Sequence, residues 1–510
     1  PEDINAYLHI AEDGKVTLYS GKIEMGQGVM TSLCQMAAED LGVSLDAMHI
    51  IMGDTDTCPW DMGTFGSLTT RMFGPAVRAA AAKARLVLTD LAAERLGVPR
   101  DTLSVADGVV YVTGDRARNV TYGALARGQA ITHEVDEEAM LRAVKDFSVM
   151  GQSPLRMDGV EKVTGAAQYA GDIRLPGMLY ARVLRPPAHG ATLTRVDTSG
   201  AEAIPDVTVV NQEGLVAVLA ADPETAEGAL EANQADFDEP APAVDTASIF
   251  QHLVDAAPEP NTPEREGDLE AGRRASAKTF DHTYYNSYVA HAPIEPHTAV
   301  AEIRDGKATV WSSTQGPFSQ QGSIARAIGF EADNVRVLTP YVGGGFGGKV
   351  GGSPVVEAAR LAQITGRPVQ VAWTRAEEFF YDTFRPAATI KVSSGMNGEG
   401  KLTLWDYQVY GAGARGSDVF YDVPNKSVRV YGEWGRAPAG MHPFGVGAWR
   451  APAANSNRFA AEQQIDIMAA AAGVDPLEFR LDNTTDPRML GVLRTIKDAS
   501  GWRARAAPSG

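Results

Sequence analysis

The alternation of apolar and polar positions divides the chain into three stretches of mixed strand and helix pattern. In the first, Tyr7, Leu8 and Ile10 precede the turn pair Asp13-Gly14, and Val16, Leu18 and Tyr19 follow it. That spacing predicts a hairpin over residues 5–20. A polar, glycine-rich stretch, 21–28, leads into a helical pattern over 31–41 that Gly42 stops. A longer helix is predicted over 75–96, with Pro75 as a favourable first-turn residue and Gly97 after its end. Its alanine run predicts close helix packing.

The second stretch, 151–235, alternates short β-like runs (179–184, 207–210 and 215–219) with turns and one Ala/Glu helix near 223–233, the pattern of a small α+β unit. Residues 236–274 are acidic and proline-rich, as in Asp236-Phe237-Asp238-Glu239-Pro240, which reads as a linker or surface excursion. The third stretch starts near Lys278 and carries a hairpin turning at Asp305-Gly306. Residues 13–20 and 305–312 echo each other, and each run precedes a loop with Gln and Gly and then a helical pattern. The echo fits two related layers around one site, and it fits ordinary hairpin chemistry equally well.

Composition narrows the function classes. At about 100–200 residues per domain, 510 residues predict three or four domains. Lys plus Arg is 46 against 64 for Asp plus Glu, a net charge of −18, which argues against nucleic-acid binding because phosphate recognition needs clustered cations. Hydrophobic residues at 44% and charged residues at 22% are globular values. There is no run of about 18 apolar residues to span a bilayer. The two cysteines, Cys34 and Cys58, exclude an iron–sulfur cluster or a Cys-rich zinc site, and Cys34 reads as a small core residue.

The chain has 52 glycines, above the average share, and three short glycine clusters carry the functional argument. The strongest is Gly343-Gly344-Gly345-Phe346-Gly347-Gly348-Lys349, after an apolar run and before a helix capped by Ser353 with Pro354 in its first turn. Strand, glycine loop and helix together suit an anion, because backbone N–H groups approach it and the helix N-terminus favours negative charge. The string matches the P-loop pattern until its last position, where Val350 replaces the Ser or Thr that holds magnesium, so a nucleotide hydrolase is the weaker alternative. The second cluster is Glu24-Met25-Gly26-Gln27-Gly28. The third runs from Gly63 through Thr64, Gly66, Ser67 and Thr69 to Arg71, offering hydroxyls, backbone donors and a cation. Gln315 follows a strand, and Arg450 lies in Gly447-Ala448-Trp449-Arg450 before a helix; each is open to a ligand or a structural role. His291 and His297 flank Glu295, but Pro293 and Pro296 stiffen the segment against metal ligation. Trp449, Phe346 and Phe444 fit either an aromatic slot or core.

In this order, these motifs resemble the molybdenum-cofactor subunit of the xanthine oxidase (molybdenum hydroxylase) family. The permuted order, with the 24–28 loop first, is similar to the isoquinoline oxidoreductase and membrane-associated aldehyde dehydrogenase branch. The resemblance implies an α+β multidomain chain, with an α/β hammerhead domain between two segments of a molybdopterin-binding domain pair. The implied domains are 1–148, 149–240 (the hammerhead), 241–277 (an acidic linker) and 278–510. Gly26, Gln27, Gly28, Gly63, Thr64, Gly66, Ser67, Thr69, Gly344, Gly345, Phe346, Gly347 and Arg450 match cofactor-binding positions, and Gln315, Phe346 and Arg450 match catalytic ones.

The implied cofactor is molybdenum-molybdopterin in its cytosine dinucleotide form. Its dithiolene holds the metal, so no protein metal ligand and no iron–sulfur cluster is expected in this chain. The implied reaction is hydroxylation of an aldehyde or N-heteroaromatic carbon with oxygen from water. The family's general-base Glu lies in a Gly-x-Gly-Glu motif that has no match here, so a companion chain or segment is expected to carry it. The implied partners are a two-cluster [2Fe-2S] small subunit and, further along the electron path, a cytochrome or flavin subunit. The branch implies the periplasm, with the cytoplasm as alternative. A non-catalytic cofactor-binding scaffold is the competing class.

Overall fold

The computed structural model describes residues 3–503 apart from 129–132, 135–139, 243, 352–353 and 436. The chain divides into two units. One comprises Pro1–Pro187, Ala191–Asp238 and Ala292–Tyr381; the other comprises Ala188–Gly190, Glu239–His291 and Asp382–Gly510.

The first unit begins with the expected hairpin, Leu8–Ile10 against Val16–Ser20, and adds Met48–Met52 parallel to the second strand. Parallel neighbours need a crossover, and the helix Val29–Leu41 supplies it. This helix packs on Gly74–Leu96 through Leu33, Cys34, Ala37, Val77, Ala80 and Ala81, all 0% exposed. Alanines at the contact let the axes approach closely, and burial pushes the Cys34 thiol up to about 12, as fits a core residue.

The largest sheet of this unit is seven-stranded and mixed, in the order Val335–Leu338, Lys307–Ser312, Thr298–Arg304, Val369–Ala372, Leu179–Val183, Leu215–Ala220 and Thr208–Gln212. It joins strands of the second and third sequence stretches in one layer. Val369–Ala372 is the seam, pairing with Thr298–Arg304 on one side and Leu179–Val183 on the other. Helices Pro317–Ile328 and Val355–Thr365 cover it with Ile324, Ala358, Ala359 and Leu361, all 0% exposed. The last helix begins at Val355 after Pro354; Ser353 lies outside the described residues.

The sequence echo corresponds to a repeated order of elements. In both copies a hairpin leads through a loop into a helix and then a strand parallel to the hairpin's second strand. The ends of the two third strands meet: Thr55 N donates to Val337 O (3.1 Å) and Thr339 N to Gly53 O (3.1 Å). Arg336 locks the junction with bonds to both Asp54 carboxylate oxygens at 2.9 and 2.6 Å.

The second unit is built on a five-stranded sheet, Asn261–Glu266, Lys426–Tyr431, Leu402–Tyr410, Ala388–Met396 and Lys278–Asn286. Helix Ala454–Ala472 packs on it through Ala460, Ile465, Met468 and Ala469. The linker expected over 241–277 is corrected here. These residues carry helix Ile249–Asp255, the edge strand Asn261–Glu266 and helix Leu269–Ala275. On the edge strand, Glu264 and Glu266 pair with Lys426 at 2.8 and 3.3 Å. The few apolar ones, Ile249 and Leu253, enter a cluster with Ala387, Tyr410 and Met441.

Leu253 is 0% exposed, so Leu253→Ala is expected to cost about 2–5 kcal/mol, read by urea unfolding. A surface linker residue would give a change within about 0.5 kcal/mol.

Candidate functional site

The three glycine clusters converge within the first unit, and Gln315 is their joint. It is 2% exposed. Its Nε2 donates to Thr64 O (2.8 Å) and its Oε1 accepts from Gly347 N (3.0 Å). Its own backbone N donates to Lys349 O (2.8 Å), and its O accepts from Thr64 N (2.7 Å). Thr64 Oγ1 in turn accepts from Ile23 N (2.9 Å), and Glu24 O accepts from Val342 N (3.3 Å). Residues from three distant segments are thus tied by buried polar contacts.

The glycines serve close approach. A Cβ on Gly345 would stand 2.4 Å from Gln315 Oε1, and one on Gly343 2.5 Å from Glu295 Cβ. Phe346 sits at φ +55°, in the left-handed region, with its ring 41% exposed. The amides of Gly344 and Gly345, and those of Gly66 (φ +64°) and Ser67 (φ +58°), have no acceptor among the described residues. Thr69, 9% exposed, begins the π-turn that leads into Gly74–Leu96. These unpaired donors are what an anionic cofactor needs.

Other expected contacts are already used. Gly26 N (2.8 Å) and Gly28 N (3.1 Å) donate to Glu24 Oε1, and Met30 N donates to Glu24 Oε2 (3.0 Å). The Glu24 carboxylate, 3% exposed, therefore occupies the N-terminus of Val29–Leu41 as an internal anion. Arg156 steadies it, donating to Glu24 Oε1 (3.1 Å) and Gly26 O (2.9 Å). Gln27 folds back onto Met25 N (2.7 Å) and Ile23 O (2.9 Å). Gly63 N donates to Asp61 Oδ1 (2.8 Å), which also holds the buried Lys22 Nζ at 2.8 Å. The amides of Gly26, Gly28 and Gly63 are thus engaged by carboxylates of the chain itself. Lys349 is no phosphate lysine either: it is 0% exposed and bound to Glu295 Oε2 at 3.0 Å.

Arg450 and Trp449 belong to the second unit. The Arg450 guanidinium lies 5.7 Å from the Trp449 ring centre, Trp449 Nε1 donates to Ala290 O (3.2 Å), and Gly447 N donates to Phe384 O (2.9 Å). Phe444 is packed against Tyr288 and Phe384, with ring centres 4.6 and 4.9 Å away. Sequence reasoning missed the residue that holds this loop. His291 Nδ1 bonds Asp382 Oδ2 and its Nε2 bonds Ala448 O, both at 2.7 Å. A carboxylate and a carbonyl only accept, so both ring nitrogens carry protons. Burial pulls its pKa down, but the Asp382 and Ala448 oxygens outweigh burial and the net shift is upward. The signal available in sequence was a histidine held in a proline-stiffened segment.

Comparison with known proteins now gives the class. Two family models, both described as a molybdopterin cofactor-binding domain, match residues 254–484 and 1–169. The chain is 28% identical to a nicotinate dehydrogenase subunit of Pseudomonas putida, covering 99% of this chain and 45% of that one. It is 28% identical to the beta subunit of isoquinoline 1-oxidoreductase from Brevundimonas diminuta, covering 99% and 73%. The aldehyde oxidoreductase of Desulfovibrio desulfuricans superposes with a TM-score of 0.59 at 17% identity, covering 96% of this chain and 58% of that one, a likeness of fold. The chain belongs to the xanthine oxidase family, as a molybdenum-cofactor-binding subunit. It spans about half the length of the nicotinate dehydrogenase subunit.

Two outcomes follow from the geometry. Gln315→Leu leaves Gly347 N and Thr64 O without their side-chain partner, and each buried orphan is expected to cost about 1–3 kcal/mol, read by chemical unfolding. For His291, whose folded pKa is raised, the stabilisation is full below the unfolded value of about 6.5 and is lost as pH rises through the folded value. Hydrogen exchange of residues 445–449, corrected for intrinsic rates, is expected to show that protection falling with rising pH, and His291→Gln to flatten the dependence.

Proposed function

We propose that this chain is the molybdenum-binding part of a hydroxylase acting on an aldehyde or N-heteroaromatic compound, with water as oxygen source. The observation that carries the reading is the pair of buried amides at Gly344 and Gly345, without an acceptor among the described residues, beside the buried Gln315 joint. The residues fit a molybdopterin: the Gly344 and Gly345 donors suit its anionic groups, and Gly343 and Gly345 let their loop lie directly on Glu295 and Gln315. When bound, the molybdenum centre supplies two-electron oxidation of a substrate carbon.

This chain's residues supply binding and orientation. The Gly344 and Gly345 amides would donate to cofactor oxygens, and the Gly66 and Ser67 amides would suit the phosphates of a cytosine dinucleotide form. Gln315 Nε2 has a second N–H beyond the one given to Thr64, available to a ligand oxygen. Phe346, held at φ +55°, would line the substrate side of the site. The general base is a Glu on a companion chain or segment, and electrons leave through a two-cluster [2Fe-2S] subunit to a cytochrome or flavin subunit. The periplasm is the compartment of this reading. Among the described residues no helix is long and apolar enough to cross a membrane.

The test is molybdenum and pterin content of the complex purified from its native host. About one molybdenum per copy of the chain, with pterin, is expected. Preparations with all partners present, yet reproducibly free of both, overturn the reading. Bound cofactor without turnover of aldehydes or heterocycles, partners included, identifies a scaffold instead.

A further inference from the structure

We propose that Glu295 and Lys349 are a positioning pair that sets the loop of residues 343–349 before any cofactor arrives. The proposal rests on the cofactor reading above and adds residues that reading does not use. Glu295 Oε2 accepts from Gly343 N (2.7 Å) and Lys349 Nζ (3.0 Å). Lys349 Nζ also donates to Glu295 O (2.7 Å), and Glu295 N donates to Gly343 O (3.3 Å). One residue therefore holds the first and last positions of the heptapeptide. The proline-flanked segment that carries Glu295 supplies a second support: His297 bonds Glu378 through its backbone N (2.9 Å) and Nδ1 (3.0 Å), and its Nε2 lies 3.4 Å from Gly348 O.

Stability alone does not explain these charges. Lys349 is 0% exposed and the Glu295 side chain 12%, and buried ion pairs are often replaceable by apolar side chains without loss. What the pair provides is one loop conformation. A run with five glycines has more backbone freedom than any other sequence, and ordering it on a ligand would weaken binding. Fixed at Gly343 and Lys349 by Glu295, and at Gly347 by Gln315, the loop holds the Gly344 and Gly345 amides, which have no acceptor among the described residues, in one conformation. Glu295 and Lys349 act through those amides, so they are positioning residues.

The deciding variant is Glu295→Gln with Lys349→Met. It removes both charges together, keeps an acceptor for Gly343 N and deletes the lysine tether. In the cofactor-free chain, hydrogen exchange over residues 343–349 is expected to accelerate by about tenfold while exchange elsewhere is unchanged. In the native complex, molybdenum per chain is expected to fall by about tenfold or more. Wild-type exchange and wild-type molybdenum in the variant overturn the proposal. Should the double variant not fold, Glu295→Gln alone is read by the same two measurements against the same outcomes. If wild-type protein itself holds no molybdenum, the cofactor reading fails, and the exchange measurement still decides whether the pair sets the loop.

Discussion

The amide side chain of Gln315 is the constraint on which the first unit's site depends. A primary amide has donor and acceptor ends in fixed relation, and here each end meets backbone from a different segment, Thr64 O and Gly347 N. Because the contact is buried, neither partner has water to fall back on, and a shift of either loop would orphan a polar group. The glycines at 343 and 345 are consequences of that closeness. The loop is glycine-rich partly because Glu295 and Gln315 stand where side chains would otherwise go.

The repeated unit of hairpin, loop, helix and parallel strand explains why loops far apart in sequence meet. Each copy places its loop at the start of its helix, and the two third strands are joined end to end through Gly53, Thr55, Val337 and Thr339. With the strand ends tied, the 24–28 loop is brought beside Val342 and the Thr64 loop beside Gln315. The sequence echo at residues 13–20 and 305–312 carried this information, but eight residues of hairpin chemistry cannot be separated from coincidence without the pairing of the third strands.

Much of the architecture was legible because it rests on local signals. Glycine after a helix and a turn pair between alternating apolar runs named the hairpins at Asp13-Gly14 and Asp305-Gly306 and the helix ends at Gly42 and Gly97. What was not legible is which donors remain free. Glu24-Met25-Gly26-Gln27-Gly28 reads as an anion loop, and so it is, but the anion is Glu24 itself, two residues before Gly26. Lys349 likewise sits where a phosphate lysine would, yet Glu295, fifty-four positions earlier, neutralises it. Whether a polar group is spent inside the protein depends on long-range partners that spacing does not reveal. The misread linker has the same origin: its edge strand Asn261–Glu266 is fixed by pairing with Lys426–Tyr431, far along the chain, and by Lys426 beside Glu264 and Glu266.

The two units solve one problem by the same physical means. A loop that must present donors or a cation cannot be stabilised by hydrophobic burial of its own residues, because it carries few. The first unit fixes its loop with Glu295 and Lys349; the second fixes the segment before Arg450 with the His291 imidazolium between Asp382 and Ala448 O. In each case a buried ion pair holds main-chain atoms rather than another side chain. That arrangement costs desolvation, but it is directional in a way apolar packing is not. Such pairs are therefore better read as specifying geometry than as adding to stability.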